Sequence, residues 1–287
     1  MTTAPVLSGL VPNLDEETYH AHPALSSTGA RQLLKAPAKF EHFLSHPSPH
    51  KKAYDAGTAV HSKVLGVGAG TVEIPASVLS KSGTTGTDAA REFIANARAA
   101  GVTPLKAHEI EHVNAMAEAI LANPMARLLL EQEGLREASV FGTDPVTGAD
   151  CRCRFDLLPT GGGRRVAVDL KTDRDEATPV KFAKTVADHG YHVQDAHYEA
   201  TAGFEGIEYD AFAFVVVEKE PPFLTAVIVL DQDFREIGRA RAKRARELFA
   251  IGTETGIWPG YPGEIQIARP PMWAIYDHND TEEALTA

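Results

Sequence analysis

Cysteine is nearly absent. Among 287 residues there are two, Cys151 and Cys153. At spacing two on a strand they would share one face, and they are too few for a disulfide framework or for the four thiolates of an iron–sulfur cluster. Long apolar runs are also missing. None reaches about 18 residues, so no membrane-spanning helix is expected. Met1 to Leu14 has no basic start followed by an apolar stretch, so no secretory signal is expected and the reading places the protein in the cytoplasm. Positive charge is scarce as well. Lys and Arg number 28 against 39 Asp and Glu, for a net charge of −11. That balance argues against a protein that coats nucleic acid nonspecifically, because neutralising phosphates takes Lys and Arg. It leaves room for a carboxylate-rich metal site beside a local basic groove. A phosphate-cradling glycine loop is missing too, since Gly161 to Gly163 precedes a strand and not a helix. No Ser-His-Asp or Cys-His arrangement is supported.

What is present is an ordinary globular composition, 44% hydrophobic and 23% charged, without internal repeats. One domain over residues 1–287 is expected, in three parts: a mostly helical stretch 1–135, a sheet core 136–275 and a tail 276–287. Ser26 or Ser27 can cap a helix that stops near Pro37. A second stretch with Phe40, Phe43 and Leu44 is broken by Pro47 and Pro49. Helices are expected over 53–65, 89–99 and 106–130, the last nicked at Pro124. Residues 67–88, rich in Gly, Ser and Thr, read as a loop or short hairpin. Near residue 137 the hydrophobic period changes from 3.6 to 2. Strands are expected over 137–142, 150–158 and 165–171, then helices from Thr178-Pro179 and over 191–204, a hairpin around Pro221-Pro222, and a long Arg-rich helix over 234–251. The class is α/β or α+β.

The sharpest chemical signal is Val166-Ala167-Val168-Asp169-Leu170-Lys171. Strand alternation points Asp169 and Lys171 the same way. A carboxylate there can hold a hard cation, and an ammonium can orient water and offset charge on phosphate. Asp156 ends the preceding strand, and a turn at 159–163 could bring it near Asp169. Two carboxylates in one cleft repel, which favours a cation between them. Gln194 and Tyr198, four apart, share a helix face and can hold a water or phosphate. His61 and Glu137 are each ambiguous alone: a satisfied core histidine and a strand-end carboxylate fit them as well.

Their order along the chain decides the matter. His61, Glu137, Asp156, Asp169-x-Lys171 and Gln194-x-x-x-Tyr198 form a series that resembles the PD-(D/E)xK nuclease superfamily in its RecB-like branch. The resemblance is closer to RecE-like, exonuclease VIII-type phage and prophage exonucleases. It is carried by Leu25-Ser26-Ser27 with Lys35-Ala36-Pro37-Ala38, by Gly57 to His61, and by Arg154-Phe155-Asp156 through Lys171-Thr172 to Tyr198. It implies a central mixed sheet flanked by helices. It also implies Mg²⁺, with Mn²⁺ as a substitute, held by Asp156, Asp169, the Leu170 carbonyl and His61, with Glu137 a weaker ligand. Lys171 would orient the attacking water, Gln194 would position water or Lys171, and Tyr198 would support the phosphate. The activity implied is 5′-to-3′ digestion of duplex DNA from its ends for phage-type recombination in a bacterial host cell. The partners implied are a single-strand annealing protein of RecT type and further copies of the chain in a ring. Arg31 and Lys35 are the candidates for gripping the DNA end, with the Arg-rich helix as the other basic cluster. A related endonuclease and a noncatalytic binding module with this fold are the rival readings.

Overall fold

The computed structural model describes residues 7–46 and 52–286. The expected break at Pro47 and Pro49 lies outside them. The chain runs β1 (Gly9–Val11), α1 (Glu16–Ala21), α2 (Ser27–Leu33), α3 (Pro37–Ser45), α4 (Lys52–Leu65), β2 (Thr71–Glu73), α5 (Asp88–Ala99), β3 (Thr103–Leu105), α6 (Ala107–Ala122) and α7 (Pro124–Leu130). It continues through β4 (Gly134–Thr143), β5 (Asp150–Pro159), β6 (Val166–Asp173), α8 (Pro179–His189), α9 (Tyr191–Phe204), β7 (Ala211–Glu218), β8 (Thr225–Val229), α10 (Gln232–Thr255) and α11 (Met272–Thr286). None of these helices is long and apolar enough to cross a membrane.

Local chemistry sets the helix ends. The Ser26 hydroxyl accepts from Gly29 N–H at the start of α2, and Pro179 opens α8 behind its cap Thr178. Gly190 ends α8 in the left-handed conformation, φ 70°, and caps α9 on its other side. A side chain there would be strained and would crowd Arg31.

Six strands form one mixed sheet in the order β1-β4-β5-β6-β7-β8. Only β6 and β7 run parallel, because α8 and α9 intervene and carry the chain back across one face. On that face Val140, Cys153, Phe155, Phe212 and Phe214 pack against Phe182, Val186 and Tyr198. On the other, Leu157, Val168, Leu170 and Val215 pack against Ala59, Val60, Met116, Ile120 and Leu130 of α4, α6 and α7. A third core joins α2, α3, α9 and α10 through Leu33, Phe40, Val193, Ala242 and Phe249.

Two strands depart from the sequence reading. Gly9–Val11, inside the stretch read as helical, adds an edge strand to β4. Thr71–Glu73 does not form a hairpin within 67–88 and instead pairs in parallel with Thr103–Leu105. Both are three residues long, too short to show a period.

One irregularity shapes everything that follows. Phe155 and Leu158 face the same core although they are three residues apart, and Leu157 faces the opposite one. Leu135 and Ala138, three apart on β4, likewise share a core. The alternation therefore slips by one residue on both strands at once, between the pairs Arg136↔Leu157 and Ala138↔Phe155. Glu137 absorbs the slip with φ 50°, unusual for a non-glycine residue. Glu137 and Asp156 face each other at this kink.

Helix α10 lies against α9 so closely that a Cβ on Gly238 would come within 2.2 Å of the His192 carbonyl oxygen. Buried under this contact is Asp195. Burial and the neighbouring Glu199 carboxylate push its carboxyl up to about 7; Asp169 adds to the shift, and Arg235 and Arg239 oppose it. Tyr209 is a further titratable neighbour. A carboxyl raised in this way stabilises the fold fully below its ordinary pKa of about 4, and that stabilisation is lost as pH rises through about 7. Asp195→Asn should therefore match the parent in stability near pH 4 and exceed it by roughly 2–4 kcal/mol at pH 8, at about 1.4 kcal/mol per unit of pKa shift. Chemical unfolding of both proteins at the two pH values checks this, and an equal difference at both would contradict it.

Candidate active site

The kink and the end of β6 bring the acidic residues together. Strand β5 meets β6 through the pair Leu157↔Val168, which sets Asp156 beside Asp169 one step further along. Beyond it the ladder is carried by a side chain: the Leu170 N–H donates to Asp156 Oδ2 at 2.6 Å. His61, on α4, reaches the same oxygen with its Nδ1 at 3.4 Å. Glu137 completes a group in which one ligand atom from each of His61, Glu137 and Asp156 lies within 4.8 Å of the others.

The electrostatics of this group suit a cation. Burial raises the Asp156 carboxyl, His61 and Lys171 oppose the shift, and the Asp169 charge adds to it. Burial, and after it the Asp156 charge, push Glu137 up to about 7. Carboxylates pushed up by desolvation and by each other are the ones a divalent ion relieves. Two carboxylates and an imidazole nitrogen are suitable donors for such an ion. The residues fit a divalent metal.

Asp169 has both oxygens engaged. Its Oδ1 accepts from Gln194 Nε2 at 2.6 Å, and its Oδ2 pairs with the Lys171 ammonium. Burial alone would lower the Lys171 pKa. Asp169, Tyr191 and Asp156 outweigh it, so the ammonium is held above its ordinary value and stays charged at neutral pH. Lys171 is thus a fixed positive charge, fit to orient a water or a phosphate oxygen and unfit to act as a base.

The fold brings His61, Glu137, Asp156, Asp169, Lys171 and Gln194 into one cluster. Leu170 contributes its N–H, and its side chain lies in the core. Gln194 binds Asp169 and not Lys171. Tyr198 is buried with its ring edge-on to Phe155 at 5.0 Å, and burial holds its hydroxyl well above the ordinary value. It underlies the site from the core. Arg31 lies at the α8–α9 junction and donates to Ser27 O, Thr28 Oγ1 and His189 O. Lys35 is exposed, and its side chain makes no hydrogen bond or ion pair among the described residues. On α10, Arg235 and Arg239 pair with Glu199, Arg244 with Glu247 and Arg246 with Asp144. Tyr191, which sequence reasoning passed over, has its ring 4.7 Å from the Lys171 ammonium. Its spacing of one helical turn before Gln194 was the available signal.

The profile of a family described as a PDDEXK-like domain of unknown function matches residues 26–271, most of the chain. The chain belongs to this family. PDDEXK-like nucleases generally use divalent metals, and in this PDDEXK-like chain His61, Glu137 and Asp156 form a group able to hold one. A search of curated proteins finds no match. Among solved structures, one described as a "putative exonuclease" from Eubacterium rectale is similar at 12% identity, with 92% of this chain and 98% of that chain covered and a TM-score of 0.58. The likeness extends to the fold. The protein SSO0001 matches at 13% identity over 76% of this chain and 83% of its own, with a TM-score of 0.27, too low to bear on the architecture. The family and the fold together support a nuclease.

Proposed function

We propose that this PDDEXK-like chain is a Mg²⁺-dependent exodeoxyribonuclease that digests linear double-stranded DNA from its ends, 5′ to 3′, exposing 3′ single strands for phage-type recombination. The observation that carries the nuclease reading is the convergence of His61, Glu137, Asp156, Asp169 and Lys171 where strands β4, β5 and β6 lose their regular ladder. The choice of exonuclease rests on the RecE-like resemblance and on the description given to the Eubacterium rectale neighbour.

His61, Glu137, Asp156, Asp169 and the Leu170 carbonyl would hold the cation, with Mn²⁺ able to replace Mg²⁺. When bound, the ion lowers the pKa of water and neutralises charge on a phosphodiester. Lys171 places a permanent charge beside the scissile phosphate and orients the attacking water. Gln194 fixes the Asp169 carboxylate, and Tyr198 supports the phosphate side of the site from below. Further copies of the chain in a ring and a single-strand annealing protein of RecT type are the partners of this activity, in the cytoplasm of a bacterial host.

The test is a digest of one end-labelled linear duplex beside a closed circular duplex, with and without Mg²⁺. Mononucleotide release from the linear form alone is expected. Cutting of the circle would make the chain an endonuclease, and binding without cutting of either form would make it a noncatalytic module.

Arg31 and Lys35 are proposed to take the DNA end. A 5′-phosphorylated duplex should then be cut faster than the same duplex with a 5′-hydroxyl, binding should weaken with salt, and Arg31→Ala should erase most of the preference. Because Arg31 also braces the α8–α9 junction, Lys35→Ala tests the same grip without disturbing that contact. Equal rates of the parent enzyme on the two ends would remove the phosphate pocket.

A further inference from the structure

We infer that Tyr191 is the positioning residue for Lys171, and that its aromatic ring, not its hydroxyl, does the positioning. The inference rests on the nuclease reading of the site for its kinetic part only.

Lys171 is buried among groups of one sign. Asp169 pairs with it, and Asp156 stands nearby. Left to these partners, an ammonium on a flexible four-carbon stem would pivot about Asp169 with nothing to fix its direction. On its remaining side the ammonium meets aromatic faces, with the Tyr191 ring at 4.7 Å and Phe214 at 5.9 Å. Such faces attract a cation without neutralising it. They give Lys171 a second anchor that leaves its charge available.

The surroundings of Tyr191 hold its ring in place. It stacks on Phe214 with centroids 5.8 Å apart and on the His189 ring at 5.6 Å. It is the first residue of α9, directly after the left-handed Gly190. The Arg31 stem packs where a side chain on Gly190 would stand, and its guanidinium donates to the His189 carbonyl. One turn later on the same helix face, Gln194 holds Asp169. The first turn of α9 thus carries one partner for each member of the Asp169-x-Lys171 pair, and the Asp–Lys geometry is set by that turn as a unit.

Two substitutions separate ring from hydroxyl. Tyr191→Phe keeps the ring, and Tyr191→Leu removes it while keeping an apolar side chain. On a linear duplex, Tyr191→Leu should lower kcat about tenfold to thirtyfold with KM changed less than about twofold, as expected for loss of a desolvated cation–aromatic contact. Tyr191→Phe should stay within about threefold of the parent. Both should bind Mn²⁺ with the parent's affinity by calorimetry and stay folded, the Leu variant losing only the stability of its ring contacts. Parent-like kcat in the Leu variant, or equal losses in both variants, would overturn the inference. So would a kcat loss accompanied by equal loss of metal affinity, or by unfolding at the assay temperature, which would mark a merely structural role. A second readout needs no activity. The ε-methylene protons of Lys171 should be shifted upfield by the ring in NMR spectra of the parent and of Tyr191→Phe, and should return toward ordinary values in Tyr191→Leu. A parent without that shift would overturn the inference whether or not the chain is a nuclease. A parent with the shift but no cleavage would sink the nuclease reading and leave the contact standing.

Discussion

Replacing Asp169 with alanine should abolish DNA cleavage, with a loss of about a hundredfold or more, while the protein keeps its fold. The size follows from position. Asp169 is buried, it lies beside Asp156 across the parting strands, and it is bound at once by Gln194 and Lys171. Its loss would remove a proposed cation ligand, leave the Gln194 amide without its acceptor, and leave the buried Lys171 ammonium without its closest counter-charge. The fold should survive because Asp169 contributes no apolar packing, and its strand neighbours Val168 and Leu170 hold β6 in the core. Metal binding by calorimetry should weaken in parallel with activity. Asp169→Asn is a milder companion: it keeps an acceptor for Gln194 but carries no charge for the ion. If the alanine variant kept more than about a tenth of the parent rate, Asp169 would not be in the reaction.

The sequence made this residue legible because strand alternation is a local rule. Asp169 and Lys171 share a face on any strand, and the turn at 159–163 is short enough to return the chain beside Asp156. Gln194 and Tyr198 were readable in the same way from helical spacing, although Tyr198 turns out to sit in the core against Phe155 and Phe212. His61 was legible only through the family series. Its approach to Asp156 depends on how α4 and α6 pack under the sheet, which no local pattern encodes.

Glu137 shows where local reading stops. Read from sequence it takes the weaker place among the proposed ligands, because it begins an apparent strand. In the structure it faces Asp156 at a paired kink, at a backbone angle unusual for a side chain of its size, with its carboxyl pushed up to about 7. A register slip shared by two strands leaves each one looking regular when read alone. The same limit hid β1 and the parallel pairing of β2 with β3, whose three residues each join partners far along the chain. It also hid the use of most cations on α10: their clustering left a solvated face and a DNA-contacting one both open, and Glu199, Glu247 and Asp144 claim four of them.

Lys171→Ala should be as damaging to cleavage as Asp169→Ala and opposite to it in metal binding. An ammonium is not a ligand, so removing it takes nothing from the cation's donor set. It does remove a positive charge from beside Asp169 and Asp156, where it competes with any bound ion for the same carboxylate oxygens. By Coulomb's law, taking one like charge away from a binding site strengthens binding of the other, and more so where the groups are partly desolvated than in water. Calorimetric titration with Mg²⁺ or Mn²⁺ should thus show an affinity equal to or tighter than the parent's, with cleavage down by about a hundredfold or more. Lys171→Arg should not restore the rate, because a planar guanidinium cannot take the place of a compact ammonium held between Asp169 and the Tyr191 ring. Loss of metal binding in Lys171→Ala as complete as in Asp169→Ala would show that the lysine holds the carboxylates in place for the ion and does not serve the reacting phosphate.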